Sequence, residues 1–336
     1  MKFLVTGGAG FIGSHVCEYL LEHQHTVFAL DDLSTGSAQN IQDLKKSNQF
    51  HFFYDSILNE SILSNLIDQC DIILHLAAVV GVQKVISSPV ETIERNVKGT
   101  EFVLKYANIK KKKVLITSTS EVYGKGNHDR FSETDDLTIG PTFIGRWGYA
   151  CSKAIDEFLG FAYYKEYKLP VIIVRFFNVI GPRQVGHYGM VVPRFIDQAL
   201  VDQPLTVFGN GLQTRCFLYV KDAVEAVYKL ALSEASVGNV FNLGNPHAIS
   251  ISDLAKKIIS LTNSKSDIRF IPYHQCYGSD FEDMMKRVPN IEKINHHIGF
   301  LPKTNLEDML KEMIRFKTSA RESSKITPPH FQIQSL

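Results

Sequence analysis

A glycine-rich turn, Gly7-Gly8-Ala9-Gly10-Phe11-Ile12-Gly13, stands between an apolar run at residues 3–5 and a helical pattern over 14–22. Few folds accept three glycines at this spacing directly after a strand. The first permits a tight turn, the second lets backbone approach a pyrophosphate, and the third lets the helix pack close to the sheet. A diphosphate placed there meets free amides and the positive end of the helix. Taken alone, such a turn is as readily structural as functional.

The rest of the first half extends the pattern. Short apolar runs at 3–5, 26–30, 50–54, 72–76, 114–117 and 171–176 alternate with helical periodicity. Their near-continuous Val/Ile/Leu/Phe content suits parallel strands buried on both faces. This predicts an α/β fold: a Rossmann-type, doubly wound parallel sheet with a smaller, discontinuous C-terminal substrate-binding lobe. The expected division is 1–182 plus about 216–246 for the cofactor domain, and 183–215 with 247–318 for the lobe. The polar residues 319–336, with a Pro-Pro pair, are expected to form a tail.

Bulk properties exclude several classes. A formal net charge of +1 gives no global attraction to nucleic acid, and the basic run 110–113 reads as a solvated turn. Five scattered cysteines, with no Cys-x-x-Cys pair, fit reduced thiols rather than a disulfide framework or a metal site. No apolar run approaches the roughly 18 residues that span a bilayer. The chain runs straight into a strand, with no signal peptide ahead of it. The expectation is a soluble cytoplasmic protein without metal, nucleic-acid or membrane partners.

The cofactor half supplies further candidates. Asp31 falls where an acidic residue would hydrogen-bond the adenosine ribose, and its charge disfavours a 2′-phosphate, so NAD is expected rather than NADP. Asp32 could share that role or be a turn residue. Asp55 would lie near the adenine or cap its loop. Ala77, in the small-residue end of the fourth strand, allows close approach to the cofactor, while His75 reads as a packed histidine. Gly7, Gly10, Phe11, Ile12 and Gly13 complete the cofactor set.

Tyr149 and Lys153 lie one helical turn apart and share a face. A phenol of pKa near 10 is a poor base at neutral pH. A neighbouring ammonium and a positive nicotinamide ring both favour phenolate, so a lowered pKa is expected. Thr119, just past strand five, could hold the same substrate hydroxyl.

These residues carry a resemblance. TGGAGFIG (6–13), HLAA (75–78), STSEVYG (118–124), YACSK (149–153), RFFNVIGPR (175–183) and GNGLQTRCF (209–217) resemble the extended short-chain dehydrogenases/reductases that act on nucleotide sugars, over about residues 1–315. The resemblance implies NAD dependence, the roles of Tyr149 and Lys153, a homodimer through helices near 90–107 and 149–166, and oxidation of a sugar C4 hydroxyl. The 4-ketone then permits 4-epimerisation, 4,6-dehydration or loss of carbon dioxide.

Ser120-Glu121 stands where 4,6-dehydratases have Asp-Glu, which disfavours dehydration. Ser-Glu instead resembles the pairing in UDP-glucuronate decarboxylases. Arg146-Trp147 is similar to the Arg-Trp before the catalytic tyrosine of such decarboxylases and of UDP-apiose/xylose synthase. Tyr277–Asp283, followed by Arg287, resembles a motif those enzymes place over the sugar. Arg287 would therefore flank the reacting carbons with Glu121 and Ser120, and a planar fork suits a substrate carboxylate.

Two features depart from the decarboxylase pattern. Phe281 replaces a tyrosine, and residues 79–83 look more like the epimerase loop. At the nucleotide end, Asn178, Arg194 and Arg215 match positions that contact the diphosphate or ribose, with residues 207–208 against the base. Arg183 could be structural instead. The expected activity is decarboxylation of a UDP-hexuronate, with UDP-sugar 4-epimerisation as the alternative.

Overall fold

The computed structural model describes residues 1–186, 189–277, 282 and 284–326, with the side chains of 82, 83, 277 and 323–326 left out. The first half runs β1 (Lys2–Thr6), α1 (Phe11–Glu22), β2 (Thr26–Asp31), β3 (Phe50–Tyr54), α2 (Glu60–Gln69), β4 (Ile72–His75), α3 (Val82–Ser87), α4 (Pro89–Lys110), β5 (Lys113–Thr119), α5 (Arg146–Tyr167) and β6 (Val171–Phe176). There follow β7 (Val179–Ile180), α6 (Val191–Ala199), β8 (Leu205–Phe208), β9 (Thr214–Cys216), β10 (Leu218–Tyr219), α7 (Val220–Leu232) and β11 (Val240–Leu243). The chain ends with β12 (Ala248–Ser250), α8 (Ile251–Thr262), β13 (Ile268–Ile271), α9 (Tyr273–Tyr277), α10 (Glu292–Ile298) and α11 (Leu306–Ile326).

Among the described residues, seven strands form one parallel sheet in the order β11-β6-β5-β4-β1-β2-β3. The expected doubly wound architecture is present. Alternate residues feed opposite faces, as the two-residue period of a strand requires. Phe3, Val5, Leu74, Leu115 and Val174 enter one core with α1 and α7. Leu4, Ile73, Val114, Ile116 and Ile173 enter the other, with α2 and α4. The first core continues without a break into Ile251, Leu254, Met309 and Met313, so the C-terminal segments share the apolar interior of the sheet.

Strand order reverses between β1 and β4, and a crevice opens there at the carboxyl ends of the strands, the usual ligand position in such sheets. The glycine turn forms its floor. A Cβ on Gly13 would stand 2.0 Å from the Gly7 carbonyl oxygen, and Gly7 itself has φ +72° with Ala77 backbone 2.9 Å from its would-be Cβ. Helix α1 starts at Phe11, three residues before the expected start, because the turn itself winds into the helix.

One expectation is corrected. The tail predicted over about 319–336 begins later, since α11 continues to Ile326. Lys317 and Arg321, one turn apart, both reach Asp197 on α6: Lys317 Nζ at 2.7 Å from its carboxylate, Arg321 Nη2 at 3.0 Å from its carbonyl. A polar helix held by ion pairs reads as a tail from composition alone. Residues 327–336 and their Pro-Pro pair lie outside the described residues. No described helix is long and apolar enough to cross a membrane.

Gly13→Ala should cost about 1–3 kcal/mol or more, because backbone rather than a flexible side chain stands in the way. Gly145→Ala is the control: no atom lies within 4 Å of the added Cβ and φ is −54°, so a gain of about 0.5 kcal/mol is expected. Urea unfolding of both variants measures the difference.

Candidate active site

The crevice is a continuous cleft of about 470 Å³ that runs from the glycine turn past α5 to the C-terminal segments. At its first end Asp31 bonds two backbone amides, Ala9 N at 2.9 Å through Oδ2 and Leu33 N at 2.8 Å through Oδ1. The carboxylate thereby ties the glycine turn to the end of β2 while still lining the cleft. Burial pushes its pKa upward, opposed by those amide bonds. Asp32 accepts from Ser34 N and pairs with Arg95 at 3.1 Å. Burial is outweighed there by the Ser34 and Arg95 bonds, and the carboxyl titrates below its ordinary value.

Asp55 accepts from Ser56 N and Asn59 Nδ2, so it braces its loop and lines the cleft as well. Phe11, Ile12 and Ala77 line the same end. His75 is a packed residue, as expected. It bonds the Thr6 and Thr100 hydroxyls, and burial, helped by the Lys153 charge, lowers its pKa to about 3.

The first turns of α5 bring Tyr149 and Lys153 to the middle of the cleft. β5 runs two residues beyond its expected end, so Thr119 closes the strand and hydrogen-bonds the Tyr149 phenol. The lowered pKa is expected with a nicotinamide ring beside the phenol; in the protein alone the balance runs the other way. Burial, followed by the Glu121 carboxylate, pushes the phenol above its ordinary pKa, against the Thr119 bond and Arg287. Asp156, which pairs with the Lys153 ammonium at 2.6 Å, adds to the upward push.

Beyond the tyrosine, three distant segments meet at Glu121. Arg287 Nη1 lies 3.0 Å and Arg146 Nη2 3.4 Å from the same oxygen, Glu121 Oε1. Arg287 also reaches Ser120 Oγ at 3.5 Å and Asn178 Oδ1 at 3.1 Å. Both arginines are buried. Asn178 is thus part of this cluster, its amide donating to the Cys216 carbonyl. Its φ of +36°, unusual for a residue other than glycine, turns the chain out of β6.

At the far end Arg194 and Arg215 line the cleft. Arg215 donates to the Met284 carbonyl, and Arg194 to the Thr206 carbonyl. The Arg194 guanidinium lies over the Phe208 ring at 3.9 Å. Val207 is wholly buried, so of the expected base-stacking pair only Phe208 faces the cleft. Arg183 is structural, bonded to Ser14 and Glu18 of α1. The side chain of Tyr277, and Phe281 with most of its stretch, lie outside the described residues.

Sequence reasoning missed three contributors. Asn96 on α4 accepts from Val79 N and donates to Ser152, which fixes the loop after β4 against α5. Glu282 accepts from Trp147 Nε1 at 3.1 Å and pairs with Lys125 at 2.6 Å, while its carbonyl accepts from Arg146. Asp156 was visible three residues after Lys153, a spacing that pairs side chains on one helix face. Glu282 lies in the Tyr277–Asp283 stretch singled out above without a role of its own, and nothing local in the sequence signals Asn96.

Comparison with known proteins agrees with this architecture. UDP-N-acetyl-alpha-D-glucosaminuronate decarboxylase of Bacillus cytotoxicus is 41% identical over 94% of this chain and 97% of its own. UDP-glucuronic acid decarboxylase 1 of Danio rerio is 33% identical over 94% of this chain and 72% of its own. The crystal structure of UDP-glucuronic acid 4-epimerase from Bacillus cereus, in complex with UDP-glucuronic acid and NAD, superposes with a TM-score of 0.84 at 30% identity, covering 95% of this chain and all of that one. The model of the family described as GDP-mannose 4,6 dehydratase matches residues 4–313. With that match running from β1 into α11, the chain belongs to the GDP-mannose 4,6 dehydratase family of extended short-chain dehydrogenases/reductases.

Proposed function

We propose that this chain is an NAD-dependent enzyme that oxidises the C4 hydroxyl of a UDP-hexuronate and then releases the C6 carboxylate as carbon dioxide. The observation that carries the reading is the pair of buried guanidiniums, Arg146 and Arg287, meeting at Glu121 beside the Tyr149 phenol. Such a cluster is poorly suited to an uncharged C6 hydroxymethyl group and well suited to a carboxylate.

The glycine turn fits a dinucleotide because Gly7 and Gly10 present bare backbone to the cleft, while Gly13, where a Cβ would stand 2.0 Å from the Gly7 carbonyl oxygen, lets α1 pack close beneath them. Gly7, Gly10, Phe11 and Ile12 would hold the diphosphate, and Asp31 and Asp32 the adenosine ribose. When bound, NAD supplies the acceptor for the hydrogen leaving C4. Tyr149 takes the C4 hydroxyl proton, with Thr119 orienting that hydroxyl, and Lys153 lies one turn behind.

The resulting 4-ketone is β to the C6 carboxylate. The C5–C6 bond breaks, its electron pair passes toward the C4 carbonyl, and the tyrosine hydroxyl steadies the charge that develops on that oxygen. Arg146 and Arg287 orient the carboxylate so that this bond stands across the carbonyl plane. Glu121 weakens their hold, because its oxygen already takes one nitrogen of each guanidinium. A carboxylate held loosely departs more readily as neutral carbon dioxide. Ser120 supplies a hydroxyl on the C5 side. Asn178, Arg194 and Arg215 would bind the nucleotide diphosphate, with Phe208 completing the nucleotide end.

A second reading, 4-epimerisation of the same substrate class, shares every step up to the ketone. The epimerase-like loop 79–83 and the similarity to a UDP-glucuronic acid 4-epimerase favour it. Incubation with UDP-glucuronate, UDP-N-acetylglucosaminuronate and UDP-glucose, followed by mass analysis, separates the two. A product lighter by one carbon dioxide, or by one carbon dioxide and two hydrogens where the 4-ketone leaves before the hydride is returned to it, supports decarboxylation, and an isobaric product supports epimerisation. We read the five free, scattered cysteines as those of a cytoplasmic enzyme.

A homodimer is part of the proposal. Ile155 and Phe158 on α5, the latter 71% exposed, and Val90 and Ile93 on the adjacent α4 are all exposed. Cys151, Ile155, Phe158 and Ala162 follow the spacing of a helical seam, all on the exposed face of α5. A second copy of the chain would cover it as a four-helix contact.

Tyr149→Phe should lower kcat by about 10²–10⁴-fold while the protein retains bound NAD; full turnover would refute the assignment of the base. Arg287→Ala should reduce kcat/KM for a uronate substrate by about 10- to 100-fold and leave UDP binding, read by calorimetry, nearly unchanged. Equal losses in both would remove Arg287 from the sugar end. Light scattering should give twice the chain mass for the native protein and a single chain for Phe158→Glu; a native monomer would exclude the dimer.

A further inference from the structure

Asp156 has no step in the chemistry above, yet it is the partner of the lysine at its centre. Lys153 Nζ stands 2.6 Å from Asp156 Oδ2, and the two side chains are 3% and 0% exposed. Three residues apart on α5, they stay together however the helix moves as a body. A buried ion pair adds little net stability, since desolvation offsets the attraction. The other oxygen, Oδ1, is buried without a hydrogen-bond partner. A carboxylate kept under those terms is better explained by its charge than by packing or hydrogen bonding.

The groups around the pair define what that charge does. Thr119 and Glu121 face the phenol from the end of β5 and Arg287 from the C-terminal segments, with Asp156 acting from α5 itself. His75 on β4, Thr100 on α4 and Glu157 on α5 surround the ion pair. His75 is neutral at physiological pH, Glu157 is taken up by Arg175, and Glu121 is shared by two arginines. Lys153 is then the cation on the same helix face as Tyr149, and Asp156 cancels it.

We propose that Asp156 is a positioning residue that offsets the Lys153 ammonium, so that Tyr149 stays a protonated phenol until a positively charged nicotinamide stands beside it. The inference rests on the reading of Tyr149 as the base. Its consequence is order: the base is made only in the complex with oxidised cofactor. The elevated pKa of the phenol in the protein alone agrees with this.

The test is a titration of Tyr149 by phenolate absorbance in cofactor-free protein, each form measured as a difference against the same form carrying Tyr149→Phe. Asp156→Asn removes the offsetting charge and should move the titration about one pH unit lower, with the acidic limb of kcat/KM moving the same way. Asp156→Glu keeps the charge and should restore both. Should Asp156→Asn not fold, Asp156→Ser carries the same measurement. An unmoved titration overturns the inference. So does an upward shift, which would mean that the carboxylate instead keeps the lysine protonated. Retained turnover in Tyr149→Phe would refute the base assignment alone, and the titration of the Asp156 variants would still report on the charge.

Discussion

The catalytic geometry depends on a single buried ion pair that never touches the cleft chemistry. Glu157 on α5 holds Arg175 on β6 through two nitrogens, at 2.7 and 3.0 Å, and also accepts from the Ser118 hydroxyl on β5. Arg175 lies over the Tyr123 ring at 4.7 Å, and Tyr123 in turn bonds Asn242 on β11. One carboxylate therefore fixes the rotation of α5 against two adjacent strands. Glu157 follows Lys153 by four residues, as Lys153 follows Tyr149, so the three share one helix face. Turning that face by a fraction of a turn would take the phenol away from Thr119. Removing one partner of such a buried pair costs about 3–5 kcal/mol.

A rigid helix face has a further effect on the charges it carries. Tyr149 sits between a carboxylate and guanidiniums contributed by other segments, and its own lysine is neutralised on the helix. Lys153 is matched by Asp156, whereas Arg146 and Arg287 share the one Glu121 carboxylate. An anion is therefore favoured on the guanidinium side of the phenol, and buried charges so close give any bound ion a large influence on it.

The parts of this molecule legible in the sequence are those fixed by local backbone geometry. Three glycines and six apolar runs specify the turn, the strands and their burial on both faces, since each depends on residues within a few positions. The Tyr149/Lys153 pair was legible for the same reason. Helix α11 beyond residue 318 was not, because its support comes from Asp197, far away in the chain. The upward push on the phenol in the protein alone was not legible, because it comes from burial and from Glu121. Asp156 was in plain view at the right spacing, but a carboxylate near a lysine on a helix usually belongs to the surface, and only burial shows that this one does not. The resemblance to nucleotide-sugar enzymes supplied Glu121, Arg146 and Arg287 as a group, while their convergence on one oxygen required coordinates.

That convergence explains how one fold can host several outcomes after the same opening step. The end of the cleft at the glycine turn is built from backbone and from glycines whose space cannot be filled. Beyond Tyr149 the lining comes from side chains at the tips of four separate segments: the turn after β5, the start of α5, the end of β6 and the loop bearing Arg287. None of these side chains belongs to the apolar cores that hold the sheet together. Exchanging them as a group leaves the strands, the glycine turn and the α5 anchor untouched, whereas removing one charge of the buried cluster alone costs about 3–5 kcal/mol. Arg287 ties these segments together. It reaches Ser120, Glu121 and Asn178 from one guanidinium, and any substitution there alters all three contacts at once.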